Sequence, residues 1–198
     1  AYLNADGSQR NYRAGGGFDN PYWTINQNPF TDDVNRVFGY TKLDWSPVDG
    51  LLVSYRYGLD QYSDVRKQII AKNSRTFPGG SITDEAWNVK EINQDLTANY
   101  TTKFGPVGAN LLAGFNANQR DYKYVGTYGT GLVLPDFYNM SNAQNQQAYE
   151  SITGRRLWGV YAEAQLDYAD WAYLTLTARR DQASTFGDVS TPILYPSA

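Results

Sequence analysis

The chain of 198 residues contains neither cysteine nor histidine. Without cysteine there is no disulfide framework, no thiolate metal site and no cysteine nucleophile. Without histidine the commonest general base, the Ser-His-Asp triad and most zinc or haem ligation are gone. No serine stands in a G-x-S-x-G elbow either. These absences lead us to expect a protein that is not an enzyme and that carries no cofactor and no metal. A basic surplus is missing too. Lys and Arg number 17 against 20 Asp and Glu, a net charge of -3, so the expectation is no nucleic-acid partner. No run approaches the roughly 18 apolar residues of a membrane helix, and the opening residues do not read as a signal peptide. The first residue is Ala1, as expected of a processed or excised piece.

What is abundant is aromatic. Tyrosine occurs 17 times, beside 5 Trp and 8 Phe, and 18 Gly and 8 Pro punctuate the chain. Helical periodicity is scarce, whereas period-two alternation recurs between turn residues. The alternation predicts six strands, over 35–46, 50–62, 90–102, 107–119, 155–168 and 171–181. Each is longer than the usual ~5–6 residues of soluble sheets and close to the ~9–11 of a tilted membrane strand. Every second position over Val37–Trp45, Leu51–Leu59, Ile92–Tyr100, Val107–Ala117, Trp158–Tyr168 and Ala172–Ala178 lacks a charge. The intervening positions carry Arg36, Lys42, Asp44, Arg56, Asp60, Glu91, Asp95, Glu163, Asp167, Arg179 and Asp181. A soluble sandwich alternates as well, so alternation alone does not place the chain in a membrane. The mean hydropathy of -0.57 does not either, because barrel strands average out as polar.

The connections carry more information. Pro47–Asp49, Lys103–Pro106 and Ala169–Asp170 read as short turns. Residues 63–89 and 120–154 read as long loops, and 1–34 and 182–198 as irregular ends. Short and long connections alternate, the pattern of an antiparallel up-and-down transmembrane β-barrel with short periplasmic turns and long extracellular loops. Trp45, Tyr100, Phe104, Tyr168, Trp171 and Tyr173 cluster beside the short turns, as an interfacial girdle does.

Several phrases are more specific. Asn20–Arg36 reads NPYWTINQNPFTDDVNR, Leu59–Arg66 reads LDQYSDVR, and Leu134–Ala143 reads LPDFYNMSNA. Arg155–Thr185 reads RRLWGVYAEAQLDYADWAYLTLTARRDQAST: a basic pair, a Gly-Val-Tyr strand, a short acidic turn, then a Tyr-Leu-Thr-Leu strand ending in Arg and Asp. In order and over nearly the whole chain, these resemble the SusC/RagA-like TonB-linked outer-membrane proteins. The resemblance implies a wide barrel of the 22-stranded class occluded by an N-terminal plug. It implies uptake of glycans or peptides powered through the TonB complex, and a SusD-type surface lipoprotein as partner. It further implies a place in the bacterial outer membrane, in contact with its lipid. Residues 1–198 are then expected to be part of the barrel, with the plug and the remaining strands absent.

The candidate site residues follow from that frame. Tyr22, Trp23 and Trp87 are expected in or beside long loops, where aromatic faces stack on sugar rings or anchor the loops. Arg56, Asp60, Glu163, Asp167, Arg179 and Asp181 are expected to face the lumen, as substrate contacts or as a solvated wall of ion pairs to neighbours or to the plug. Gly126–Gly131, GTYGTG, lacks the order of a phosphate-binding loop and reads as a flexible loop tip. Asp32-Asp33 and Asp84-Glu85 read as solvated loop acids. A second function stays open, that of a soluble carbohydrate-binding β-domain, which would also be rich in Tyr, Trp and Asn. The two readings differ in what covers the apolar face, lipid in one and an internal core in the other.

Overall fold

The computed structural model describes residues 1–13, 16–186 and 193–198. It is all-β apart from one short helix. In chain order come α1 (Pro21–Gln27), β1 (Phe30–Trp45), β2 (Leu51–Ile70), β3 (Ser81–Phe104), β4 (Val107–Leu132), a single 3-10 turn (Met140–Asn142), β5 (Ala143–Tyr168), β6 (Ala172–Ala183) and β7 (Ile193–Ser197). The strands form one antiparallel up-and-down sheet in the order β1 to β7. Every expected strand is present and a seventh, β7, is added.

The two stretches expected as long loops are mostly strand. β2 runs on to Ile70 and β3 begins at Ser81, which leaves 71–80 as the loop. β4 runs on to Leu132 and β5 begins at Ala143, which leaves 133–142. At ~3.3 Å per residue, the 26 residues of β4 or β5 extend for roughly 85 Å, more than twice the length of a bilayer-crossing strand of ~9–11 residues. Beyond the expected limits both faces turn polar, so alternation fades while backbone pairing continues. GTYGTG is likewise not a loop tip but the end of β4. Gly129 is where Met140 and Ala143 approach too closely for a Cβ. Of the Gly15–Gly17 tract, Gly15 lies outside the described residues, as do 187–192 of the C-terminal stretch.

The chain divides into two compact units. The first comprises 1–35, 62–88 and 122–152. Its small core is Ile82, Leu132 and Ala143, joined by Tyr138 and Met140. Asn142 pins the loop 133–142 by accepting from the Leu134 amide (2.9 Å) and donating to the carbonyls of Leu134 (2.8 Å) and Phe137 (2.7 Å). Burial, then the charge of Asp136, pushes the Tyr138 hydroxyl up to about 12. Helix α1 starts where Asn20 caps the Tyr22 amide (3.0 Å), with Pro21 in the first turn, a start signal by side-chain acceptor and preset φ. Asp19 accepts from Gln9 Nε2 (2.8 Å), the Arg75 amide (2.6 Å) and Thr76 Oγ1 (2.6 Å), which ties the N-terminal segment to the loop 71–80. Burial raises the pKa of Asp19, and these hydrogen bonds outweigh it, so its carboxyl lies below the usual range.

The second unit comprises 36–61, 89–121 and 153–198. Its turns lie together at one end of the strands. The Thr101 amide donates to the Gly50 carbonyl (2.8 Å) and the Ala169 amide to the Pro106 carbonyl (2.7 Å). In the first unit the loop 71–80 meets the end of β4, through Gly131 N to Gly80 O (3.2 Å) and Leu132 N to Gly79 O (2.8 Å). The β5–β6 turn closes with Trp171 N to Tyr168 O at 2.9 Å. Both residues inside it, Ala169 (φ 51°) and Asp170 (φ 56°), sit in the left-handed region, as a hairpin with right-handed strand twist requires.

Register fixes the two faces. Ala162 faces Ala178, Ala164 faces Leu176, Leu166 faces Leu174 and Tyr168 faces Ala172. One position along, Glu163 faces Thr177, Asp167 faces Tyr173 and Tyr161 faces Arg179. Apolar side chains therefore collect on one surface and charges on the other. Tyr173 stands on the charged face opposite Asp167, so it is not part of an outward aromatic girdle. The expectation failed because proximity to a turn does not determine the face.

Among the described residues no second layer lies over the apolar face. Leu96, Leu111, Phe115, Val160, Leu174 and Leu176 are between 40% and 48% exposed. Gln94, a polar residue on this face, has its carbonyl satisfied by the Tyr55 hydroxyl at 2.7 Å.

Candidate functional site

The charged face is built by short, regular steps between neighbouring strands. Arg36 on β1 holds Asp60 on β2 through Nε (2.8 Å) and Nη2 (2.5 Å). Arg56 on β2 holds Asp95 on β3 through Nε (3.0 Å) and Nη2 (2.7 Å). Asp95 also accepts from Asn116 on β4, and Glu91 accepts from Asn118 at 3.0 Å. Arg179 grips Asp181 on its own strand (2.8 Å) and lies over the Tyr161 ring at 5.5 Å. Glu163 accepts from Gln165 at 2.6 Å. Asp167 fills the space left by Gly108, where a Cβ would collide with its carboxylate.

The six charges expected to face inward thus share one face, but they are not one cluster. Arg56 and Asp60, spaced four apart on β2, are not partners; each finds its counter-charge on a different neighbouring strand. These pairs are largely exposed, so water screens them and each contributes little to stability. Their chemical character is a wall of fixed donors and acceptors, suited to a hydrated polar solute. Among the described residues, no group of three or more acidic side chains gathers to hold a metal ion.

The first unit carries an arrangement of its own. The Arg66 guanidinium grips Asp64 by Nε (3.0 Å) and Nη2 (2.6 Å) and lies 4.4 Å from the centre of the Trp87 ring. Trp87 packs on Tyr124 at 5.2 Å with a 38° tilt, and the Tyr124 hydroxyl donates to Glu85 at 2.7 Å. That hydrogen bond, then burial and the Glu85 charge, pushes the Tyr124 hydroxyl up to about 12. Three strands contribute to this ladder of cation, indole, phenol and carboxylate. Its members are remote in sequence, so residue reading picked out Trp87 without its partners.

The loop aromatics part company. Tyr22 is exposed on α1 and free to meet a solute. Trp87 is not in a loop but on β3. Trp23 is only 5% exposed and donates through Nε1 to Ser74 Oγ at 2.9 Å. Its ring is a loop anchor with no face left for stacking, because α1 folds it inward against the loop 71–80. The paired acids, expected in loops, lie on strands. Asp84 binds Lys67 (3.1 Å) while Glu85 takes Tyr124 (2.7 Å), as adjacent strand residues facing opposite ways must. Asp32 and Asp33 are likewise consecutive residues of β1 rather than of a loop.

No protein-family model matches the chain, and no curated protein matches it by sequence. Solved structures do match in fold. The structure of the RagAB peptide transporter superposes with a TM-score of 0.83 over 98% of this chain at 15% identity. The RagAB peptide importer in its "closed-closed" state gives 0.84 at 14% identity. BauA, the ferric preacinetobactin receptor from Acinetobacter baumannii, gives 0.50 over 86% of this chain at 12% identity. The chain spans 23% of the length of the RagAB chains it matches.

Proposed function

We propose that this chain is a stretch of barrel wall from a TonB-dependent outer-membrane importer of glycans or peptides. On this reading the strands of the second unit cross the bilayer with their apolar face in lipid. The turns at 46–50, 105–106 and 169–171 face the periplasm, and the loops 71–80 and 133–142 the exterior. The ion-paired face lines the lumen against a plug supplied elsewhere in the protein. The observation that carries the reading is the pairing of an uncovered apolar face with a charged face tied by ion pairs between neighbouring strands. In water the uncovered leucines lose the burial that folds a soluble domain; in a bilayer they are solvated. The likeness to a peptide transporter's fold agrees with that and supports peptides as one cargo class. A soluble carbohydrate-binding domain would need a second layer over the apolar face, and among the described residues there is none.

The test is made in cells expressing the complete protein. It should be recovered with the outer membrane, co-purify with a SusD-type surface lipoprotein, and support uptake of labelled oligosaccharide or oligopeptide that stops when TonB is deleted. Recovery in the soluble fraction, with uptake indifferent to TonB, would defeat the proposal.

A further inference from the structure

The alternation that keeps charge off the outward face ends at its upper limits. Register places Arg180 opposite Val160 of β5 and opposite Leu194 of β7. Val160 belongs to the apolar row, so Arg180 shares the apolar surface, flanked by an aliphatic side chain on either side. It is exposed, and no acidic partner for it occurs among the described residues. Two further cations stand on the same surface. Arg156 lies two residues beyond Trp158 on β5, and Lys90 two residues before Ile92 on β3; both are exposed. One carboxylate serves these two: Asp121 takes Arg156 at 2.8 Å and feels the charge of Lys90.

The turn end differs. There the outward positions are Trp45, Tyr100, Phe104 and Tyr168, while Lys42 and Lys103 fall on the opposite alternation. Cations therefore mark only the end of the apolar face remote from the short turns. An unpaired guanidinium between aliphatic neighbours at a hydrocarbon boundary is costly unless an anion reaches it. Among the described residues the carboxylate beside these cations, Asp121, is already taken by Arg156, and the phosphate of a lipid is an anion that such a boundary supplies.

The geometry points to Arg180 as a binding site for a phosphate of a lipid headgroup in the leaflet away from the short turns, with Arg156 and Lys90 as further cations along the same boundary. The inference rests on the apolar face meeting lipid, as in the proposed function. A guanidinium supplies paired donors to phosphate oxygens, and the ammonium of Lys90 adds a point charge.

The test uses the complete protein in lipid nanodiscs, titrated by native mass spectrometry. The probes are bis-phosphorylated lipid A, its dephosphorylated form and inorganic phosphate. Phosphorylated lipid should bind and survive excess inorganic phosphate, and dephosphorylated lipid should bind far more weakly. R180Q should weaken binding about five-fold and the double variant R156Q/R180Q more than twenty-fold, with R180K retaining most of it. Indifference to the headgroup phosphate, or equal binding by wild type and the double variant, would overturn the inference. So would full competition by inorganic phosphate, which would mark a general anion site. Wild-type insertion into the nanodisc is the separate control. If it does not insert, the barrel reading fails; if it inserts and headgroup phosphate makes no difference, this inference alone fails.

Discussion

Replacing Leu176 by arginine places a charge on the outward face at a depth the structure sets. Leu176 is the fifth residue of β6 and faces Ala164 of β5. Four steps of ~3.3 Å put it roughly 13 Å along the strand from Ala172. At a strand tilt of about 40° that is roughly 10 Å of height in an apolar band ~25 Å tall. An arginine at such a depth costs ~2–4 kcal/mol. Leu176 is 43% exposed, so with water on that side the same substitution would fall within about 0.5 kcal/mol of zero. The size of the effect therefore reports the solvent. Leu111, fifth in β4, should behave the same way. Asn110, its neighbour on the opposite face, has only a long contact to Thr101 (3.4 Å) to lose, so Asn110→Arg should cost under about 1 kcal/mol. The assay is urea unfolding of the complete protein in phospholipid vesicles, with midpoints compared at constant slope. Equal losses at Leu111 and Asn110, or no loss at Leu176, would refute the assignment of faces.

Three further outcomes are expected. Ala169→Asn should stabilise by about 1 kcal/mol in the same assay, because an Ala in the left-handed region is strained and Asn tolerates it; a destabilised variant would count against the turn geometry. Trp23→Ala should loosen the N-terminal segment from the loop 71–80, removing ~3–5 kcal/mol of local stability. Trp23→Phe should cost only ~1 kcal/mol, since Ser74 keeps a bond to Asn28 at 3.2 Å; hydrogen exchange over 71–76 reads both, and unchanged exchange in Trp23→Ala would remove the anchor role. The Asp19 carboxyl is depressed in the folded state, so its stabilisation is full above the ordinary carboxylate pKa of ~4 and is lost as pH falls through its lower folded value. Protease nicking within 1–19 should rise in that acid range in the wild type and be raised at neutral pH in Asp19→Asn; nicking that is independent of pH would exclude Asp19 as the tether.

Sequence made the faces legible because over the middle of the strands, such as Trp158–Tyr168 and Ala172–Ala178, one face carries charge and the other none, a period-two signal that survives without any structure. Strand length was not legible. Along 143–154, AQNQQAYESITG, neither face is apolar, so the strand is held by backbone pairing that leaves no mark in composition. β7 was missed because five residues with an internal Pro196 carry too little pattern. Helix α1 did leave a signal, Asn20 followed by Pro21, but over too few residues to outweigh its surroundings. Trp87 was visible as an aromatic but not as the centre of a ladder. Its partners Arg66 and Tyr124 lie on other strands, and only register brings them to it. Arg180 was hidden for the opposite reason: the basic pair Arg179-Arg180 looks uniform, and only pairing shows that its members lie on different faces of the sheet, Arg179 with Tyr161 and Arg180 with Val160.

The most direct test of the account is a solvent scan of β5. With no native cysteine in the chain, single cysteines at positions 160–167 can each carry a nitroxide in the complete protein in bilayers. Collision with oxygen, which concentrates in lipid, is then compared with collision by a water-soluble nickel chelate. Labels at Val160, Ala162, Ala164 and Leu166 should favour oxygen, and those at Tyr161, Glu163, Gln165 and Asp167 the chelate, with a period of two. Uniform access of the chelate to all eight positions, or the inverse alternation, would contradict the claim that this sheet is a lipid-facing barrel wall.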